Sequence, residues 1–282
     1  MIVSAFEESA IKLAKKYPNI VLFNCDCSRA AGAEKFLKYF PDRYFNLGLA
    51  EANMVSCAAG FCVRGKIPFI TGLSAFVTGK AWEQIRDGIC YPNLNVKLIC
   101  VGLAVCDIAQ MRCLPNMKVV CPADYREAAA VFDALLEDYG PTYVRLYEGG
   151  GEAVTSGDFE FGKVGVLKEG SDVCIFAFGK MVIESLKAAK ILEDNGINAE
   201  VVNVSSIKPI DEAGIVKCAS GKKLCVTVED HNIIGGLGSA VAEVLGEMAP
   251  VSLLRMGIED RFGESALGAE EIYKRVMEAT RG

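Results

Sequence analysis

The sequence predicts an α/β fold built from two doubly wound domains, each a mainly parallel sheet with helices on both faces. Three observations carry that prediction. Short β-rich runs alternate with helical patterns, the alternation lapses once near residues 147–163, and it resumes in a shorter stretch beyond. Alternation of this kind builds βαβ units. A chain of 282 residues is long enough for two domains, each with its own core.

In the first half, strands are expected at 19–25, 67–71, 96–102, 117–122 and 142–147, with helices over 51–63, 76–90 and 124–138 between them. The stretch YEGGGEAVTSGDFEFGK (147–163) is Gly-, Ser- and charge-rich and marks a boundary. Strands follow at 172–178, 198–204 and 224–230, with helices at 181–195, 211–219 and 237–247. Gly196, in DNGINAEVV, stands where a helix stops before a strand, the place for a left-handed cap. The expected organisation is a larger domain over 1–148, a linker over 149–162 and a smaller α/β domain over 163–282.

Composition excludes several function classes. A net charge of −6 and a pI near 5.1 leave no clustered basic surface for nucleic acid. No apolar run approaches a membrane span, and the first residues lack the basic start and apolar core of an export signal, so a cytoplasmic protein without membrane contact is expected. The twelve cysteines lie scattered in apolar segments with no C-x-x-C pair, and the chain has one histidine, His231. Small buried thiols in a reducing compartment account for this better than a zinc site.

Several segments could carry chemistry. Glu51 is an acid among apolar and small residues in YFNLGLAEANM, where a loop enters a helix; a favourable position in the helix's first turn explains it without any function. EDHNIIGGLGSAVAEVL (229–245) joins a strand end, a Gly-rich turn and a helix. That turn could cradle a phosphate, but its G-G-x-G pattern is not the dinucleotide fingerprint, and tight helix–strand packing explains the glycines equally well. His231 titrates near neutral pH and sits in this loop, eligible for either a structural or a binding role. In SAFVTGKAWEQIRDGICYPNLNVKL (74–98), periodicity alone makes Phe76 and Trp82 core residues and pairs Arg86 with a carboxylate. Arg145 stands at a strand end, where ligands of open α/β sheets gather, and suits bidentate binding of phosphate or carboxylate as well as a structural ion pair.

The order of segments adds more. PDRYFNLGLAEANMVSCAAGFCVRGKIPFITGLSAFVTGKAWEQIRDGICYPNLNVKLI, followed by DIAQMRCLPNMKVVCPADYREAAAV, resembles the pyrimidine-binding domain of transketolases. GKMVIESLKAAKILEDNGINAEVVNVSSIKPID, VEDHNIIGGLGSAVAEVL and GIEDRFGES resemble the transketolase C-terminal domain. The resemblance covers nearly the whole chain and implies the C-terminal subunit of a split transketolase, moving a two-carbon ketol unit between sugar phosphates with thiamine diphosphate. It implies that Glu51 meets N1′ of the cofactor's aminopyrimidine and that Phe76 stacks on that ring. Leu73 stands where the family often has a second aromatic. Arg145 falls at the arginine that meets the substrate phosphate, and His231 is placed with it on the substrate side.

Absences shape the expectation too. No G-D-G followed by N-N, the family pattern that holds Mg²⁺ and the diphosphate, occurs here. The resemblance therefore implies a partner N-terminal subunit and a heterotetramer with interfacial sites. Where the family carries T-H-A-G and G-E-D-G-x-T-H-Q elements, only Leu103, Ala104, Val105 and Cys106 remain, and a second shortening follows FGESA (262–266). Two other readings stay open: a subunit of another thiamine diphosphate enzyme, of the 2-oxoacid dehydrogenase or deoxyxylulose-phosphate synthase kind, and a non-catalytic paralogue lacking the substrate loop.

Overall fold

A computed structural model describes residues 2–27, 31–102, 104–149, 152–263 and 267–281. Leu103 and residues 264–266, which fall in the two shortened segments, lie outside these.

The first half begins with helix α1 (Ile2–Lys16), whose buried Ile2, Phe6, Leu13 and intervening alanines make one apolar stripe. It continues through β1 (Ile20–Asn24), α2 (Glu34–Tyr39), β2 (Tyr44–Asn46), α3 (Glu51–Val63), β3 (Ile67–Leu73), α4 (Ser74–Lys80), β4 (Lys97–Val101), α5 (Asp107–Arg112), β5 (Lys118–Val120), α6 (Tyr125–Ala134) and β6 (Thr142–Leu146). The second half holds β7 (Gly165–Lys168), β8 (Val173–Ala177), α7 (Lys180–Asp194), β9 (Ala199–Asn203), β10 (Ser206–Lys208), α8 (Glu212–Ala219), β11 (Leu224–Asn232), α9 (Leu237–Met248), β12 (Leu253–Ile258) and α10 (Ala269–Arg281). Asp124 and Asp211 cap α6 and α8, their side chains accepting from Glu127 N and Gly214 N. Gly196 takes the left-handed conformation (φ 82°) after α7, as its sequence position requires.

These strands form two sheets, in the order β10-β5-β6-β4-β3-β1-β2 and β12-β11-β8-β9-β7, parallel except where β10 and β7 join. Central strands such as β1, β4, β6 and β8 are buried along their whole length, as parallel strands covered on both faces must be. β10 belongs to the second half of the sequence yet pairs antiparallel with β5 of the first sheet, an element the strand pattern does not announce. Unlike β5, which is as short but lies in the apolar run MKVVC, Ser206–Lys208 stands between Ser205 and Pro209 with no apolar run to mark it.

One apolar core runs continuously from the α3 face of the first sheet, through Met54, Leu98 and Met111, to Phe176 and Val202 of the second sheet and Leu237 of α9. Two further cores lie on the outer faces, against α1 and α6 and against α7 and α10. The helix expected over 76–90 is broken: α4 ends at Lys80, and a π-helical turn runs over Gln84–Cys90. The wider turn seats Arg86 on the Trp82 ring (4.8 Å to its centroid) and against Asp87 (2.8 Å), the carboxylate pairing expected of it. No helix among the described residues is long and apolar enough to cross a membrane.

Candidate functional site

Glu51 is the first residue of α3, entered from the β2 edge through Gly48, whose φ of 69° makes the turn. Its side chain is 4% exposed and has a cation against it: Lys80 Nζ lies 3.3 Å from each carboxylate oxygen. Lys80 also sits over the Phe76 ring, 4.4 Å from its centroid. Phe76 and Lys80 are four residues apart on α4, the spacing that puts two side chains on one helix face. Phe76 is 43% exposed, so the core role that periodicity gives it does not hold; its ring is an open aromatic surface. Leu73 ends β3 immediately before α4, partly buried. The structure thus gathers Glu51 and Phe76 around one ammonium group, with Leu73 at the base of Phe76's helix.

Arg145 and His231 form a separate group. Registers Leu73↔Val101 and Val101↔Leu146 put the ends of β3 and β6 two strands apart, roughly 10 Å at ordinary strand spacing. Arg145 is 4% exposed; its Nη2 donates to the Asp230 carbonyl at 2.8 Å and its Nε lies 3.4 Å from Asp107 Oδ2. The same carboxylate oxygen accepts from Tyr143 Oη at 2.5 Å. Burial opposes the Arg145 charge, but Asp107 outweighs it together with Cys121, Tyr143 and Asp230, and the guanidinium stays charged. Burial and Asp107 together push the Tyr143 phenol far up.

His231 is wholly buried. Its Nδ1 faces the Asn232 carbonyl at 2.6 Å as donor, and Nε2 accepts from Ala109 N at 3.4 Å. Burial holds its pKa below the ordinary value, against the pull of Asp107, whose Oδ1 is 3.9 Å away. The short connection before α5 is tied into this junction as well, with Asn232 N donating to the Val105 carbonyl at 2.9 Å.

The Gly-rich turn resolves in favour of packing. Glu229 places its carboxyl at the start of α9, accepting from Leu237 N and Gly238 N at 2.8 Å each. An internal acid thus occupies the position a phosphate would take, and a Cβ on Gly236 would overlap it. Burial raises the Glu229 pKa to about 8.

A cavity of about 290 Å³ opens between the two halves, lined by Arg145, Tyr147 and Glu148 on one side and Gly179, Lys180 and Asp230 on the other. Lys180 Nζ lies 2.6 Å from Asp230 Oδ2, and Arg145 Nη1 has no hydrogen-bond partner among the described residues. Sequence reasoning misses Asp107 and Lys80. Asp107 looks like any acid in a first helical turn, whereas Lys80 carries a usable signal in its i, i+4 spacing from Phe76.

Two mainly parallel α/β units carry polar side chains near the carboxyl ends of their strands, where ligands of open α/β sheets gather. The chain belongs to the transketolase family: the models for "Transketolase, pyrimidine binding domain" and "Transketolase, C-terminal domain" match residues 1–150 and 162–278. It is 44% identical to a putative transketolase C-terminal section of Methanocaldococcus jannaschii, over 97% of this chain and 94% of that protein. That alignment runs over 304 positions against 282 residues here, so at least 22 positions of the relative have no counterpart. It is 38% identical to the 6-deoxy-6-sulfo-D-fructose transketolase subunit SqwH of a Clostridium species, over 91% of this chain and 84% of that protein. Among solved structures it is similar to a split gene transketolase described as an inactive beta4 tetramer, with a TM-score of 0.92, 42% identity, and 98% and 96% of the two chains covered. A transketolase of Pichia stipitis, 19% identical with a TM-score of 0.80, shares the fold over 45% of its own length.

Proposed function

We propose that this chain is the C-terminal subunit of a thiamine diphosphate-dependent transketolase, transferring a two-carbon ketol unit between sugar phosphates in the cytoplasm. The observation that carries this reading is the buried Glu51 carboxylate facing the open Phe76 ring, with a cation held between them. An acceptor at the edge and an aromatic surface at the base fit a flat heterocycle with a hydrogen-bonding edge, and the Lys80 ammonium is a stand-in ion in that place.

When bound, thiamine diphosphate supplies the nucleophilic carbon and the electron sink for cleaving a ketose C–C bond. The residues of this chain do the rest. Glu51 offers an oxygen to N1′ of the aminopyrimidine and shares the proton there. Phe76 covers one face of the ring and excludes water from it, and Leu73 gives that slot an aliphatic wall where relatives often have an aromatic one. Arg145, through its unpaired Nη1, meets the anionic group of the substrate. His231 is buried behind it and acts on substrate only through Asp107 and Arg145. Mg²⁺ and the diphosphate are assigned to a partner N-terminal subunit, and the working unit to a heterotetramer with sites at the subunit interface.

A second reading is favoured by the short 103–106 stretch of the sequence, where the resemblance leads one to expect two histidine-bearing elements. It is a self-associated, non-catalytic form, comparable to the inactive beta4 tetramer of the solved split gene transketolase. Glycolaldehyde transfer, measured with and without a partner subunit that supplies the diphosphate-binding domain, separates the two. Transfer only in the mixture supports the split enzyme. Cofactor binding by the mixture without transfer supports the degenerate form.

A further inference from the structure

The ammonium of Lys80 occupies a definite place: 3.3 Å from both oxygens of a carboxylate that is almost wholly buried, and 4.4 Å from the centroid of an exposed aromatic ring. Any flat ring that stacks on Phe76 while presenting a nitrogen to Glu51 must use the same space, because stacked rings and hydrogen-bonded edges need contacts of about 3–4 Å. The two occupancies exclude each other. Lys80 itself is 52% exposed, on the last residue of α4, so solvent lies open to a displaced side chain.

From this geometry we infer that Lys80 is an internal competitor for the aminopyrimidine slot. In the empty subunit it balances the Glu51 charge and covers Phe76, and the arriving ring swings it out. The inference rests on the assignment of this slot to thiamine diphosphate and adds a positioning residue to it. The empty site therefore keeps a buried carboxylate compensated, at the cost of cofactor affinity.

The test is calorimetric titration of thiamine diphosphate into the chain assembled with a subunit carrying the diphosphate- and Mg²⁺-binding domain. Lys80→Met keeps the length of the side chain and removes its charge. Losing an exposed ion pair and a cation–π contact on the empty side tightens binding roughly tenfold. Lys80→Gln serves as a second uncharged variant should the methionine perturb folding. In a Glu51→Gln background, where the ion pair is already gone, Lys80→Met shifts the dissociation constant about threefold or less. Acylation of Lys80 by an amine-reactive ester, read by peptide mass spectrometry, speeds up when the cofactor is added.

Unchanged or weaker binding by both uncharged variants, with native thermal midpoints, overturns the competitor role and leaves the cofactor assignment standing. Failure of the wild-type assembly to bind thiamine diphosphate removes the assignment itself, and the competitor role with it.

Discussion

Asp107 and Arg145 pair at 3.4 Å with both side chains out of solvent, one at the start of α5 and the other near the end of β6, and from this pair Arg145 reaches across to the second half of the chain. Tyr143 and the Asp230 carbonyl complete the shell around them. Asp107→Asn is expected to remove the carboxylate nearest the buried Arg145 charge, leaving only Asp230, which Lys180 already pairs, as an acid beside it, a loss of about 3–5 kcal/mol. Asp107→Asn combined with Arg145→Met recovers part of it, because no uncompensated charge remains. Urea unfolding of the two single variants and the double variant measures the coupling directly; strict additivity would show that the pair is not the unit described.

Glu51→Gln preserves the shape of the side chain and removes its carboxylate. Its ion pair with Lys80 is half open to water, so the stability change stays under about 1 kcal/mol. Glycolaldehyde transfer by the assembled enzyme is expected to fall by about 10²- to 10⁴-fold, the usual scale of a positioned proton-sharing group. Near-normal turnover with an unchanged melting curve would sink the role given to Glu51.

Phe76→Ala probes the aromatic base of the slot. The ring is 43% exposed, and its removal leaves the fold's stability within about 1 kcal/mol. Stacking is worth about 0.5–1.5 kcal/mol, so the dissociation constant for thiamine diphosphate should rise roughly threefold to tenfold. A Leu73→Phe substitution, which offers a second ring, is expected to move the constant the other way. Equilibrium binding to the assembled complex reads both.

Glu229 and His231 give the junction a pH signature with opposite signs. Burial raises Glu229 to about 8, so the folded protein keeps a proton that the unfolded chain releases near pH 4.5; this contribution is full below that value and is lost as pH rises to 8. Burial lowers His231, so the folded protein resists a proton that the unfolded chain accepts near 6.5, and stability is lost as pH falls below that value. Glu229→Gln costs about 1–3 kcal/mol at pH 5.5, since one α9 amide loses its acceptor, and less at pH 8.5. The loss of stability between those two pH values should flatten relative to wild type; an unchanged slope in urea unfolding would remove Glu229 from the account.

Much of this architecture is legible in the sequence because it rests on periodicity. The expected helix at 51–63 matches α3 at both ends, and β1, β3, β4, β6, β8, β9 and β11 lie on runs apolar enough to stand out. Gly196 is legible because only a left-handed cap explains it there. What the pattern hides is tertiary in origin. The break after Lys80 comes from a π-helical turn that no spacing rule marks, and β10 lies in a polar stretch before Pro209 with no apolar run to announce it. The candidate site divides the same way. Glu51 and Arg145 are residue types at suggestive positions and Phe76 enters only through the resemblance, while the residues found against them, Lys80 and Asp107, are helix-end charges whose contacts only the fold reveals. Phe76 shows the limit most clearly, since helical spacing assigns to the interior a ring that faces outward.

The small strand β10 has a bearing on how such a protein can be divided. Ser206–Lys208 lies well past the Gly-rich linker, yet it covers the outer edge of β5, and Lys208 reaches back to the carbonyls of Arg112 and Leu114. A fragment ending in the linker would leave β5 with a bare row of amides and carbonyls, the kind of edge that recruits strands from other molecules. The linker is therefore a seam in the sequence but not in the folded body. Swapping the second half for that of a relative carries the first sheet's last strand along with it, so a workable chimera must match β5 and β10 as a pair.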